Sequence, residues 1–434
     1  MRRGEVALYF ALLLLLQGAY LLGAAGYPNP SLGLNQLGHL GLPKAAATLA
    51  AVWIVALGFT AVSFRFRPGF RWRIPPWLGV ALSVLAAAAS VWAFLTFVNH
   101  YINRDGLNLF AKIRNGVAER GSFVTHDEML ELYLHSRLYA WANQAFGWSV
   151  GRCYQVASAA AGGAFVLLLL LAAPRWAPRG RIAFAALILS CGFVQLFFGD
   201  VENYSWVTVW ILAYLLAAEA CLNRGVPLWA PSLCLSLAMG FHMLAGWLLP
   251  SLGYLFLHCR KEGRGRELPA GAVAWVLPIA WLLVFFHFSG LPIQRLWQSS
   301  HLSGMGGHYG KELAPLDLAY HWGILNALLL LWPTAVLLPA LAAFRRPGAD
   351  PLSRFLWIAA GAMIVFTFVW RAELGLPEDW NLYAPGMVPP AMLTARGLCR
   401  LPGSAARTLL LTALALTAAA HTYTWVLSNH FLWR

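Results

Sequence analysis

Three carboxylates carry the chemistry that this sequence offers: Asp105, Asp127 and Glu202. Each lies in a polar segment beside an apolar run. A carboxylate held at a water–lipid boundary is suited to take a proton from a hydroxyl. Asp105 and Asp127 belong to the stretch from His100 to Trp148, the longest run too polar to cross a bilayer, which also holds Glu119, Glu128 and Glu131. Asp105 stands at the start of a segment in which Leu107, Phe110, Ile113 and Val117 share one side, opposite Asn108, Lys112, Arg114, Asn115 and Glu119. That pattern predicts a helix lying in the headgroup plane, with Asp105 as its N-cap, its base, or both. His126, Asp127 and Glu128 are all metal-ligand types. Thr125 through Glu128 also reads as a capping box with Glu128 at the third helical position, so no metal ligands are assigned.

The segment Asp200-Val201-Glu202-Asn203-Tyr204 is the whole connection between two apolar runs. Boundary acids are costly and mark functional sites; Asp200 is suited to cap the helix that follows, whereas Glu202 has no such role. His242 stands at a second turn expected on the same face. The segment 290–318 contains Arg295, His301, a glycine-rich run ending in His308, and Lys311. It suits a flap over a polar, anionic ligand, and no strand–helix context makes it a phosphate loop. In the turn 371–380, Arg371 is placed to pair either a lipid phosphate or Glu373. Asp379 adds a carboxylate, and Trp380 offers a flat face to a sugar ring.

These residues need elements to position them, and composition says what those are. The chain of 434 residues is 60% apolar and 11% charged, with a mean hydropathy of +0.62. A soluble surface takes about 25% charged residues, so this is a membrane protein. Apolar runs fall at about 7–25, 45–64, 77–98, 149–173, 182–199, 203–222, 226–241, 243–258, 269–289, 319–343, 355–371, 382–396 and 406–427. Pro231 and Pro250 predict kinks in the pair at 226–258. With the N-terminus cytoplasmic, the inner connections hold 20 of the 31 Lys and Arg, while the outer ones hold 12 of the 17 acids. That alternation sets the orientation, and it accounts for a net charge of +14 without nucleic acid. The first run follows Met1-Arg2-Arg3 but is longer than a signal-peptide core, and it is expected to stay as a span. None of the six cysteines forms a CxxC pair, so they are expected to be packing residues.

With spans in this number, a long outer loop with interfacial helices, Asp105 at its start, and Asp200 and Glu202 in the next outer turn, the chain resembles the integral-membrane glycosyltransferases of the GT-C fold, relatives of lipid-linked aminoarabinose and protein O-mannosyl transferases. The likeness covers roughly residues 77–400. Three spans precede the acidic loop where the family usually has one, and Asp105 lacks the usual acidic neighbour, which leaves the base between Asp105 and Asp127. The resemblance implies an all-α polytopic membrane protein with about 13 transmembrane helices. Residues 1–76 would form two N-terminal helices, 77–400 the core with outer loops 99–148 and 290–318, and 401–434 a C-terminal helix with a short tail. It implies a sugar donor on a polyprenyl phosphate, inversion at the anomeric carbon, and an active face on the extracytoplasmic side of the cell membrane. The leaving phosphate would be steadied by Arg371, Lys311 or a divalent cation such as Mg or Mn. Two other classes compete: a transporter or flippase, which would carry its ionisable groups near the midplane, and a lipid-linked glycan polymerase or ligase, for which Arg295, His301 and His308 would be essential.

Overall fold

Lipid offers the backbone no hydrogen-bond partners, so a chain this apolar has to satisfy its peptide groups within helices. The computed structural model describes residues 3–26, 33–65, 75–118, 128–288, 318–344, 350–370 and 379–432, and among these every regular element is helical. In chain order they are α1 (Arg3–Ala25), α2 (Leu42–Arg65), α3 (Pro76–Thr96), α4 (Arg104–Ala118), α5 (Met129–Phe146) and α6 (Val150–Trp176). Next come α7 (Arg181–Leu189), α8 (Ser205–Arg224), α9 (Trp229–Phe241), α10 (Leu249–Lys261), α11 (Leu268–Phe288) and α12 (Leu318–Leu331). The remainder are α13 (Leu338–Phe344), α14 (Pro351–Val369), α15 (Trp380–Tyr383), α16 (Val388–Cys399) and α17 (Ala405–Phe431).

Among the described residues, eight helices are long and apolar enough to cross a membrane: α1, α2, α3, α6, α8, α11, α14 and α17. A further pair, His321–Leu331 and Pro333–Phe344, is apolar enough when taken together but is bent by 107° at the break between its two helices. The count falls short of thirteen because several apolar runs are broken helices. The run at 182–199 divides into α7 and a 3-10 turn at Gly192–Phe197, and the run at 382–396 divides into α15, a 3-10 turn at Pro385–Met387, and α16. The pair at 226–258 forms α9 and α10 around a 3-10 turn at Met243–Leu248. Pro231 and Pro250 lie in the first turns of α9 and α10. They start helices there instead of kinking them, since proline lacks an N–H that the first turn does not use.

Hydrogen bonds between distant connections separate the molecule into two ends. At one, the Arg264 guanidinium donates to the carbonyls of Cys221 and Val226 at 2.8 Å each. There also, Arg407 donates to the carbonyl of Arg179, while Arg396 and Arg400 engage Asp350. At the other end, the Val98 carbonyl meets the His430 ring and the His100 N–H donates to the carbonyl of Asn429. The second end carries the carboxylates described below. α1 and α2 pack on the flank of α17, where Gln17 donates to the Thr417 hydroxyl at 2.8 Å and accepts from the Trp53 indole at 2.9 Å. All six cysteines are free and five are buried, in keeping with a packing role.

Candidate active site

The short turn between the Gly192–Phe197 segment and α8 is the floor of the site. Asn99, just past α3, donates through its side chain to Asp200 at 3.0 Å and through its backbone to the carbonyl of Phe198. The Asn381 amide in α15 lies near Asp200 and favours its charged form. Tyr204, not Asp200, occupies the N-cap of α8. Burial pushes the Asp200 carboxyl up to about 7, with the amide side chains of Asn99 and Asn381 opposing the rise.

Asn203 joins this floor to α5 and α6. Its side-chain N–H₂ donates to Glu128 Oε2 at 2.7 Å, while its Oδ1 accepts from the Tyr154 hydroxyl at 3.2 Å. The other Glu128 oxygen lies 3.8 Å from His242 Nε2. His242 Nδ1 accepts from the Leu244 backbone N–H at 3.1 Å, which assigns the proton of the neutral ring to Nε2, the nitrogen facing Glu128. The His242 ring stacks on Tyr204 at 5.0 Å. Glu128 is the N-cap residue of α5, yet its side chain makes no capping hydrogen bond. α5 thus begins later than the capping box predicts, with Glu128 before its first residue and not at its third, and the Glu128 carboxylate faces Asn203 and His242. Thr125 lies outside the described residues.

One turn along α5, Glu131 is fully buried and His135 nearly so. The His135 Nδ1–H donates to the Glu131 carbonyl at 2.9 Å and lies 3.6 Å from a Glu131 carboxyl oxygen. That spacing would suit an ion pair. Burial, however, drives both partners to their neutral forms: Glu131 is held well above the usual carboxylate range by burial and then by Glu128, and His135 falls to about 4. The His135 ring stacks on Tyr154 at 3.8 Å and 13°.

α4 completes the wall. The Asn103 side chain accepts from the Gly106 N–H at 2.7 Å, turning the chain into the helix. A Cβ at Gly106 would meet the Val201 carbonyl at 2.9 Å and Ile102 Cγ2 at 2.7 Å, so α4 is pressed against the floor turn at this point. Asp105, the preceding residue, is the second of α4 and therefore enters the site region on its backbone. Leu109 and Ile113 bury against Leu132, Tyr154 and Val201. The expected apolar face is turned accordingly: Leu107 is 57% exposed and Leu109 takes its place in the contact.

Of the residues singled out by sequence, the structure brings Asp200, Glu202 and His242 together, with Glu202 buried in the floor turn and close enough to act electrostatically on Tyr154. Asp379 is buried at the start of α15, two residues before Asn381. Trp380 is 5% exposed and packs edge-on against Trp425 at 4.7 Å, with its ring in the core. Asp127, Arg295, His301, His308, Lys311 and Arg371 lie outside the described residues. Among the described residues, no group of three His, Cys, Asp or Glu side chains is arranged to hold a metal ion. The members missed by sequence are Asn99, Glu131, His135, Tyr154, Asn203 and Asn381, with Glu128 read as a metal-ligand type or a cap. One signal was present: Glu128, Glu131 and His135 are spaced i, i+3, i+7, a polar stripe on one helix face.

No family model matches the sequence, and no curated protein does. Two solved structures do match, both of ArnT from Cupriavidus metallidurans. The structure bound to undecaprenyl phosphate aligns with a TM-score of 0.53 at 14% identity, and the apo structure with 0.56 at 15%. Each alignment covers 81% of this chain and 76% of the other. The chain has the GT-C fold. At this identity the likeness shows architecture alone, and the reading of the GT-C site has to come from its own residues. Glu128 is the member best suited to proton transfer, being a carboxylate fixed by one amide donor, faced by an imidazole, and with its side chain 14% exposed. Asp200, Glu202 and Glu131 are more deeply buried than that.

Proposed function

We propose that this GT-C protein is a membrane glycosyltransferase that moves a sugar from a polyprenyl-phosphate donor to an acceptor hydroxyl, with inversion, at the extracytoplasmic face. The observation that carries this is the Glu128 carboxylate, oriented by Asn203 and His242 at the floor turn against which α4, the helix that bears Asp105, packs through Gly106. Undecaprenyl phosphate in the ArnT structure supports a lipid phosphate on the donor. Glu128 or Asp105 takes the proton of the acceptor hydroxyl. The freed oxygen lone pair attacks the anomeric carbon as the bond to the phosphate oxygen breaks, and the lipid phosphate leaves with the electron pair. Arg371 and Lys311, or a divalent cation, would offset the charge that develops on it. The basic residues gathered at the opposite end support a cytoplasmic position for that end. The carboxylates of the site gather at one end of the helices, which favours a transferase over a transporter with midplane acids.

The test is transfer by the purified protein in lipid nanodiscs, supplied with a panel of labelled polyprenyl-phosphate sugars. Wild type is expected to release free polyprenyl phosphate from one of them. Asp105→Asn and Glu128→Gln should each lower the rate by about 10²–10⁴-fold, the usual worth of a general base, while purifying as wild type does. Full activity in both variants would overturn the assignment of the base. Failure of the wild type on every donor would overturn the reaction.

A further inference from the structure

The floor of the site uses Glu128, Asn203 and His242, but behind them lies a second set of polar groups that no step of the proposed reaction touches. Glu131 is 0% exposed, and among the described residues neither of its carboxyl oxygens accepts a hydrogen bond. Even a neutral carboxyl group destabilises the fold when it is buried without hydrogen bonds, so a stability role alone gives no reason for Glu at this position. From here the contacts run in one direction. His135 donates to the Glu131 backbone and lays its ring flat on Tyr154. Tyr154 donates to Asn203, and Asn203 donates to Glu128. The amide is the decisive link. With Oδ1 accepting from Tyr154, the Asn203 side chain can only present its N–H₂ to Glu128, whereas the flipped amide would set an oxygen against the carboxylate.

We infer that Glu131, His135 and Tyr154 form a buried positioning unit that fixes the Asn203 amide and thereby holds Glu128 in its proton-accepting orientation. This rests on the reading of Glu128 as a reacting carboxylate. No proton travels along the chain of contacts, because an amide does not relay one. Glu131 stays neutral through burial and the nearby Glu128, so it fills the space behind Glu128 without adding a repelling charge. The titratable groups that face this cluster are Glu131 on α5, Tyr154 on α6, Glu202 in the floor turn and His242 beyond α9.

The experiment compares Tyr154→Phe, Glu131→Ala and Glu131→Gln in the full-length protein in nanodiscs. Two readouts are taken: the pH dependence of kcat/KM, and the protonation of Glu128 followed by isotope-edited infrared spectroscopy without substrate. Tyr154→Phe keeps the ring stacked on His135 but frees the amide. It is expected to lower kcat by about ten- to a hundredfold, the scale of a misplacement of about 1 Å, with KM unchanged. The acid limb of its pH profile should move upward, because a carboxylate that loses its donor holds a proton more tightly. Glu131→Ala should follow it, and Glu131→Gln should restore both the rate and the acid limb by replacing a neutral carboxyl with a neutral amide. An unshifted Glu128 titration in both Tyr154→Phe and Glu131→Ala would overturn the inference. The infrared titration needs no turnover, so an unshifted titration counts against this unit, whereas a wild type inactive on every donor counts against the reaction.

Discussion

Asn203 is the side chain on which most of the site's geometry turns, since it hydrogen-bonds both Glu128 and Tyr154. Replacing it with Ala removes a charge-assisted hydrogen bond worth about 1.5–3 kcal/mol, and the transfer rate should fall by roughly ten- to a hundredfold in steady-state assays. Asp200 makes a different prediction. Its carboxyl titrates near 7 in the folded protein against about 3.8 unfolded, so the folded state holds the proton more tightly. The contribution of Asp200 to stability is then greatest below about pH 4 and declines as pH rises through about 7, where the buried charge forms. Asp200→Asn should flatten that decline, read as the thermal midpoint of the detergent-solubilised protein across the same range. At this scale the sequence revealed the floor turn, because two acids in so short a connection have no reason to be cheap. It concealed the role of Glu128, because a threonine three residues before a glutamate satisfies the capping pattern whether or not the cap is made. Tyr154 and Asn203 were invisible for a simpler reason. Tyrosines and asparagines at helix ends are ordinary, and only the folded chain shows that these two meet across 49 positions.

The elements hold these residues by close approach more than by strong bonds. Gly106 is the clearest case. A methyl group there would meet the Val201 carbonyl and Ile102, pushing α4 off the floor turn at an overpacking cost of about 1–3 kcal/mol. Gly106→Ala should therefore cut activity further than it cuts expression, measured as turnover per milligram of purified protein, because the displaced element is the one that bears Asp105. Gly192 meets the Leu330 carbonyl in the same way, where the broken segment after α7 lies against α12. Hydropathy located the apolar runs but not the breaks within them, because a helix broken at lipid depth is as hydrophobic as a straight one. The prolines were informative only about where helices begin. For α4, periodicity gave the helix correctly and its buried face wrongly at one residue, Leu107. Leu107 and Leu109 have the same side chain, and which one is covered depends on the neighbours that α5 and α6 supply.

For the whole molecule, composition and the alternation of charge were enough to give a polytopic helical membrane protein, and the order of interfacial segment and floor turn was enough to suggest the GT-C fold. The direction of insertion is a separate expectation, and the cysteines make it easy to test because the native thiols are almost all buried. Gln144 and Lys261 are exposed at α5 and at the end of α10. A membrane-impermeant maleimide added to intact cells should label Gln144→Cys, in a background where Cys234 is Ser, and should reach Lys261→Cys only after permeabilisation. The opposite pattern would turn the protein over.

The 107° bend at Trp332-Pro333 has a bearing on how the protein is made. Proline leaves the carbonyl of Leu329 without its helical N–H, and at lipid depth nothing in the bilayer replaces it. The corner is stable only where side chains and backbone of other segments shield it, and α16 is among the elements packed there. α1, made before the bend, packs there as well, so the crease is enclosed on both sides only once α16 has been synthesised.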